Sequence, residues 1–360
     1  MKKTKKLLSV ILAAILLLAM VIPSFAQEET KKEFSMITAN VSGLPIPSAF
    51  SDAGRKVPKA QKELGKLFNE SGIDFICTQE DFQFHSILAK EMTNYPYCTY
   101  TDGGIPVGSG VNIFSKYPIY NVERYSWKNF NGILDAANDG LTPKGLVKCT
   151  ADVDGVLVDI YSLHIDANGS LEDCKAKELQ FYELLKFANE HSKDRPIVMT
   201  GDWNVTLHSD IEAHFYPIMI EGAGYRDAWS EYCNDGVYFT DRLPQETINE
   251  YDSKFGGYYW GHWDSVERMI YLNGDGAELN VTDFYYEDYN QLAGYKTQAL
   301  SDHSMGVCKF SIDTENYVRP DIELKTESKP SVFYRFIHAI AMYARSIDLI
   351  FKDLINMLSK

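Results

Sequence analysis

Apolar runs of strand length, each closed by polar or turn-forming residues, recur along this chain. They cover residues 34–41, 73–78, 109–115, 146–153, 156–164, 197–200, 268–272 and 304–312. Two stretches change period. Residues 56 to 69 read as a helix. A second helix follows Ser170, an N-cap with Asp173 three residues on in a capping-box pattern, after which Cys174, Phe181, Leu184, Leu185 and Ala188 keep helical spacing. Strands outnumber helices and mix hairpin-like with crossover connections. The pattern predicts a mixed α/β layered domain over 34–312, without an internal repeat.

Beyond it the pattern changes twice. Residues 313–331 are polar and contain two prolines, as a linker would. Residues 332–358 then carry Phe333, Phe336, Ile337, Ile340, Ala344, Ile347, Phe351 and Leu354 at helical spacing, interspersed with Arg335, Arg345 and Lys352. This predicts an amphipathic helix with two readings: docked on the domain, or lying on a membrane or envelope surface.

The chain opens MKKTKKLLSVILAAILLLAMVIPSFAQ. A basic start, an apolar stretch from Leu7 to Ile22, and small residues at 24 and 26 predict a secretory signal peptide over 1–26, followed by a polar connection over 27–33. The small residues and the polar QEETKKE after them argue against a retained anchor. The expectation is therefore a secreted, extracellular protein, surface-associated if the last helix seeks lipid.

With 360 residues, 45% hydrophobic and 24% charged, the chain has ample material for a core. Its formal net charge is −15, and removing a leader with four lysines and no acids takes it to −19. That balance disfavours strong non-specific binding of polyanions, although bound cations can offset it locally. Export permits disulfides. Cys77, Cys149 and Cys308 nevertheless lie within apolar runs, which suits buried free thiols, and no CxxC suggests thiolate-bound zinc.

The candidate chemistry sits where the runs end. IVMTGDWN carries Asp202 and Asn204 two apart, on one face if the strand continues. Taken alone it reads as an Asx turn. The pattern recurs, however. SMITAN ends in Asn40, DFICTQED in Gln79 and Glu80, and VDIYSLHID in His164 and Asp166, while LSDHSMGV places Asp302 and His303 before the last run. Glu80, Asp202 and Asp302 offer hard oxygen donors suited to Mg2+, Mn2+ or Ca2+. His164 and His303 titrate near neutrality, and Asn40 and Asn204 can donate to a phosphate oxygen or orient water. Such a set is what phosphoester hydrolysis by activated water needs.

Together these segments resemble the endonuclease/exonuclease/phosphatase superfamily, which includes deoxyribonuclease-type nucleases, inositol-phosphate 5-phosphatases and bacterial sphingomyelinases. TAN, TQED, GSGVNIFSKYPI (108–119), Lys144-Gly145, LHIDA, GDWN and SDH follow the family's order over nearly all of 34–312. The resemblance implies two face-packed mixed β-sheets flanked by helices, a four-layer α/β sandwich with the site at one edge. It implies Glu80 as principal metal ligand, Asn40 assisting with metal or phosphate, and Asp302 as a second ligand or orienter. His303 should be the general base, Asp202 and Asn204 should position water and phosphate, and His164 should donate to the phosphate or leaving group. Lys144 should contact phosphate. The family's late-strand Asp is replaced: WDSVERMIYL offers Glu267 as the acid pairing with His303, with Asp264 a rival.

The expected activity is that of a secreted metal-dependent phosphoesterase acting on a phospholipid or sphingomyelin-type head group. Export, acidity and the aromatic stretches at 255–263 and 284–289 favour this reading. An extracellular nuclease using the same site would want a basic groove that the sequence does not display. A non-catalytic binding protein would not need the full polar set. His85, His208, His214 and His262 read as structural or surface residues.

Overall fold

Alternate residues of a strand face opposite sides of its sheet. Here helices cover one side and a second sheet the other, so the apolar runs are nearly continuous. The computed structural model describes residues 31–358 except 46, 48–53, 134–138, 210, 240–242, 256–262 and 297. The expected leader lies outside the described residues, as do His262 and most of the 255–263 stretch.

The strands are β1 (Lys31–Asn40), β2 (Phe75–Gln79), β3 (Tyr97–Cys98), β4 (Asn112–Ser115), β5 (Ile119–Ser126), β6 (Gly145–Val153), β7 (Val156–His164), β8 (Ile197–Asp202), β9 (Arg226–Asp227), β10 (Glu267–Leu272), β11 (Glu278–Glu287) and β12 (Met305–Asp313). Two six-stranded sheets result, in the orders β11-β12-β1-β2-β4-β3 and β5-β6-β7-β8-β10-β9. Both are mixed: β1 runs parallel to β2 and antiparallel to β12, and β8 parallel to β7 and antiparallel to β10. The helices include α1 (Val57–Glu70), α2 (His85–Glu91), α3 (Leu171–His191), α4 (Ala228–Cys233), α5 (Gln245–Phe255), α6 (Tyr289–Leu292) and α7 (Val332–Leu358).

Three apolar layers separate four structural ones. Phe34, Met36, Phe75 and Phe310 meet Val158, Ile160, Val198 and Met269 between the sheets. Ile37, Ile76 and Val307, one residue out of phase, pack under Leu64 and Phe68 of α1. Tyr161, Leu163 and Met199 pack under Phe181, Leu184 and Phe187 of α3. Ser170 caps α3 as the pattern required, its side chain accepting from Asp173 N and the Asp173 carboxylate accepting from Ser170 N. This is the four-layer sandwich expected from the sequence. All six cysteines are free, and Cys77, Cys149 and Cys308 are buried.

Four features differ from the sequence reading. Strands β5 and β11 edge the two sheets and are partly exposed, so they show no apolar run. The 109–115 run forms a strand only from Asn112. In 284–289, Phe284 and Tyr289 are core residues and only Tyr285 is exposed: alternation along β11 turns Phe284 toward the other sheet, and Tyr289, at the start of α6, packs against Phe68 of α1. The expected linker is pinned along the domain: Glu327 accepts from Tyr100 N at 2.8 Å, Lys325 O from Asn121 N at 2.8 Å, and Arg319 pairs with Asp152 at 2.7 Å.

Candidate active site

The space between the sheets changes character along its length. Reading inward-facing positions in turn, β1 runs Phe34, Met36, Thr38, Asn40; β7 runs Val158, Ile160, Ser162, His164; β8 runs Val198, Thr200, Asp202; and β10, in the opposite direction, runs Tyr271, Met269, Glu267. Each becomes polar at the same end. Period two thus carries an apolar core into a polar cluster with no break in the strands.

Register fixes the cluster. Asp202 lies opposite His164 on one side and Glu267 on the other. Across the gap Asn40 lies opposite Gln79, which Glu80 follows. Asn40 joins the sheets: its Nδ2 donates to Asp202 Oδ2 at 3.0 Å and to Glu80 Oε1 at 3.3 Å. Its Oδ1 accepts from Ser42 N at 2.9 Å, so Asn40 bridges two carboxylates through its amide nitrogen instead of presenting its oxygen to them. Gln79 Nε2 makes a second tie, to Ser162 Oγ at 3.1 Å.

The SDH segment closes the site. Ser301 Oγ donates to Asn40 O at 2.7 Å and accepts from His303 N at 3.1 Å, locking the loop before β12 to the end of β1. His303 Nδ1 is hydrogen-bonded to Glu267 Oε1. Ser265 Oγ donates to the other carboxylate oxygen, Glu267 Oε2, at 2.7 Å. Glu267 therefore reaches the histidine despite its extra methylene. The rival Asp264 is committed elsewhere: it accepts from Leu207 N at 2.6 Å and His208 N at 3.1 Å, and pairs with the His208 ring.

Asp202 ends β8, and the chain turns there. Asn204 N donates to Asp202 Oδ1 at 3.1 Å in an Asx turn, and Asn204 has φ of +48°. Asn204 therefore does not project beside Asp202 as an extended strand would dictate; its Nδ2 donates to Ile165 O at 3.0 Å. Glu80 has φ of +54°, an uncommon conformation for a residue without a short polar side chain and one that clusters at functional sites.

Charge is unevenly compensated. Burial, together with Lys144 and His303, holds the His164 imidazole well below its usual pKa, so the ring is neutral. Its Nε2 lies 3.4 Å from Asp202 Oδ2, and its buried Nδ1 has no protein partner. Burial also opposes charge on His303, yet Glu267, Asp202 and Asp302 hold its pKa well above the ordinary value. Glu80 is raised by burial and by Asp302, with His303 and Lys144 opposing. Asp302 pairs with Arg55 at 3.5 Å and stays below the usual carboxylate range, because His303, Ser42 and Arg55 outweigh its burial.

Lys144 Nζ pairs with Asp139 at 2.5 Å and donates to Ile165 O at 3.3 Å. Its ammonium is thus engaged by protein, although its field reaches Glu80, His164 and Asp202. Asp166 beside it is pushed up to about 7 by burial and Asp139. Asp139 and Arg55 were missed from sequence, since neither ends an apolar run. Lys177 was also missed. It is buried, pairs with Glu212 at 2.5 Å and donates to Asn204 O at 2.6 Å, fixing the turn after Asp202. A lysine between Cys174 and Phe181 on the apolar stripe of α3 was its signal.

A divalent cation fits this donor set. Glu80 and Asp302 are hard oxygen donors whose mutual repulsion a cation would relieve. Donor atoms of Asp202, Glu267 and His303 also lie within 4.8 Å of one another. That grouping is first a hydrogen-bonded acid–histidine pair, with Asp202 already accepting from Asn40 and Asn204.

The family model described as Endonuclease/Exonuclease/phosphatase family matches residues 37–272. Sphingomyelinases of Mycobacterium bovis and Mycobacterium tuberculosis are 24% identical over 293 residues, covering 79% of this chain and 54% of theirs. The chain thus spans about half the length of these curated relatives. Among solved structures, D. rerio TDP2 complexed with a single-strand DNA product is 16% identical with a TM-score of 0.52, over 77% of this chain and 98% of that one. A humanized D. rerio TDP2 is 14% identical with a TM-score of 0.53, over the same shares. These structures share the fold.

Proposed function

This chain belongs to the endonuclease/exonuclease/phosphatase family, and from that premise we propose that it is a secreted, divalent-metal-dependent phosphodiesterase acting on lipid head groups of the sphingomyelin type. The observation that carries the reading is the bridge from Asn40 to both Glu80 and Asp202, with His164 and Glu267 flanking Asp202 and His303 on Glu267. Six polar groups from two sheets and a loop meet at one edge, as attack of water on a phosphate ester requires.

The roles follow from the chemistry of each group. Glu267 accepts Nδ1–H of His303, which leaves Nε2 as the basic nitrogen for the proton of the attacking water. Asp202, held by Asn40 and by Asn204 N, orients that water. Neutral His164 donates a hydrogen bond to the phosphate or the leaving oxygen without adding charge. Glu80 holds the cation, with Asp302 beside it; Mg2+ is favoured, and Mn2+ or Ca2+ have compatible chemistry. The cation supplies charge neutralisation at the phosphate oxygens. Lys144 adds positive field and reaches phosphate only by leaving Asp139.

The lipid preference is supported by the similarity to sphingomyelinases, the acidic balance and the helix at 332–358, through which contact with a membrane or envelope surface belongs to this reading. The test is a panel with purified protein and magnesium: sphingomyelin, phosphoinositides, plasmid DNA, RNA and a soluble aryl phosphodiester. Release of phosphocholine, lost in His303→Ala, is expected. Plasmid nicking abolished by His303→Ala, with no lipid turnover, would make the protein an extracellular nuclease. Inactivity throughout would favour a non-catalytic binding protein.

A further inference from the structure

Helix α7 docks on the domain by its polar side. His338, Met342, Arg345, Ser346, Leu349 and Asp353 are buried or partly buried. Arg345 Nη1 donates to Gly140 O at 3.1 Å, and its guanidinium lies 4.8 Å from the centre of the Phe130 ring. Asp353 Oδ2 accepts from Ile133 N at 2.8 Å. Under the first turns, a cavity of about 390 Å³ lined by Tyr100, Arg124, Glu327, Tyr334 and Met342 separates helix from domain.

The apolar side faces outward. Phe333, Phe336, Ile340, Ile347, Phe351 and Ile355 are 52% to 74% exposed. At about 100° per residue, the outward apolar positions span an arc of roughly 160°. No charged residue or amide falls within it. Side chains of this size leave on the order of 1,000 Å² of apolar surface exposed, beyond the roughly 300–600 Å² of the largest patch on a typical monomer.

We propose that α7 seats this protein on a zwitterionic lipid bilayer, its outer arc in the boundary between head groups and acyl chains and its inner side holding the catalytic end toward that surface. The purpose of this device rests on the lipid phosphodiester reading; its test does not. Two observations select a bilayer over a second copy of the chain. The arc is wider than the seam one partner helix covers. It carries no charge pattern that would fix the register of a partner. No helix among the described residues is long and apolar enough to cross a membrane, which suits a helix lying in the interface plane. The net charge of −15 selects a zwitterionic surface over an anionic one. The mount also leads to the site: Gly140, which Arg345 holds, adjoins Asp139, the partner of Lys144.

The test uses residues 27–360, without divalent metal, and phosphatidylcholine vesicles. Co-sedimentation of the wild type is expected, with partitioning falling at least about tenfold in a Phe336→Glu, Ile347→Glu, Phe351→Glu triple variant whose circular dichroism and thermal melt match those of the wild type. Ile340→Asp, a single change in the arc, repeats the measurement if the triple variant misfolds. Replacing part of the phosphatidylcholine with phosphatidylglycerol should weaken binding. No partitioning by the wild type, or equal partitioning by the variants, overturns the proposal. So does a wild-type dimer that the variants dissociate while vesicles bind neither. Binding is read without catalysis, so failure of the sphingomyelin assay leaves this result standing.

Discussion

At the scale of single residues, the Glu267–His303 pair decides the pH behaviour. His303 must be neutral to accept a proton, and its pKa is held well above the ordinary value by Glu267, Asp202 and Asp302 against the effect of burial. The rate should therefore rise with pH through that elevated value. Glu267→Gln should move the rising limb toward lower pH and reduce the plateau, in a pH–rate profile on a soluble diester. It should also cost more activity than Asp264→Asn, whose carboxylate serves the His208 turn. His303→Ala and Asp202→Ala should each lose at least about a hundredfold in kcat. Asp166 gives a stability prediction. Its folded-state pKa of about 7 exceeds that of an unfolded carboxyl, so the folded state binds the extra proton between the two values. Stability should fall as pH rises toward 7, and thermal melts of Asp166→Asn should show a flatter slope over that window.

At the scale of elements, strand ends place the chemistry and close backbone approach holds them in place. A Cβ on Gly201 would lie 2.0 Å from Leu163 O, so only glycine lets β8 lie against β7 where His164 and Asp202 pair. Gly201→Ala should cost about 1–3 kcal/mol, as overpacking does, measurable by urea denaturation, and should lower kcat by displacing Asp202 from His164. Gly145 meets the same limit, since a Cβ there would lie 1.9 Å from Tyr125 O. The glycines of GDWN and of Lys144-Gly145 were legible as letters, but their partners across the sheet were not. The contribution of Lys177 was similarly hidden: its place on α3 is local, whereas the Asn204 carbonyl it holds comes from another element.

At the scale of the whole molecule, an acidic protein buries Glu80 beside Asp302, and burial and that neighbour raise its pKa against His303 and Lys144. Chelation should abolish turnover, and magnesium should restore it. Glu80→Gln should raise the magnesium concentration for half-maximal rate more than Asp302→Asn does, because Asp302 is already partly balanced by Arg55. The polar segment between β12 and α7 runs along the domain and the final helix is itself hydrogen-bonded to it, so α7 is held against the domain and does not trail from it.

The sequence alone determined the alternation that builds two sheets, the cap of α3, the apolar arc of α7 and the polar residues that end the strands, because each depends on spacing within a few residues. Tertiary structure decided which polar groups meet. Register put His164 and Glu267 on either side of Asp202, sheet packing brought Asn40 across to it, and the turn at Asp202 sent the Asn204 side chain to Ile165. It also decided that α7 turns its polar side inward, since the partners of that side, Ile133 and Gly140, lie about two hundred residues away in sequence. Contacts between distant segments are set by how layers pack, and no local pattern encodes them.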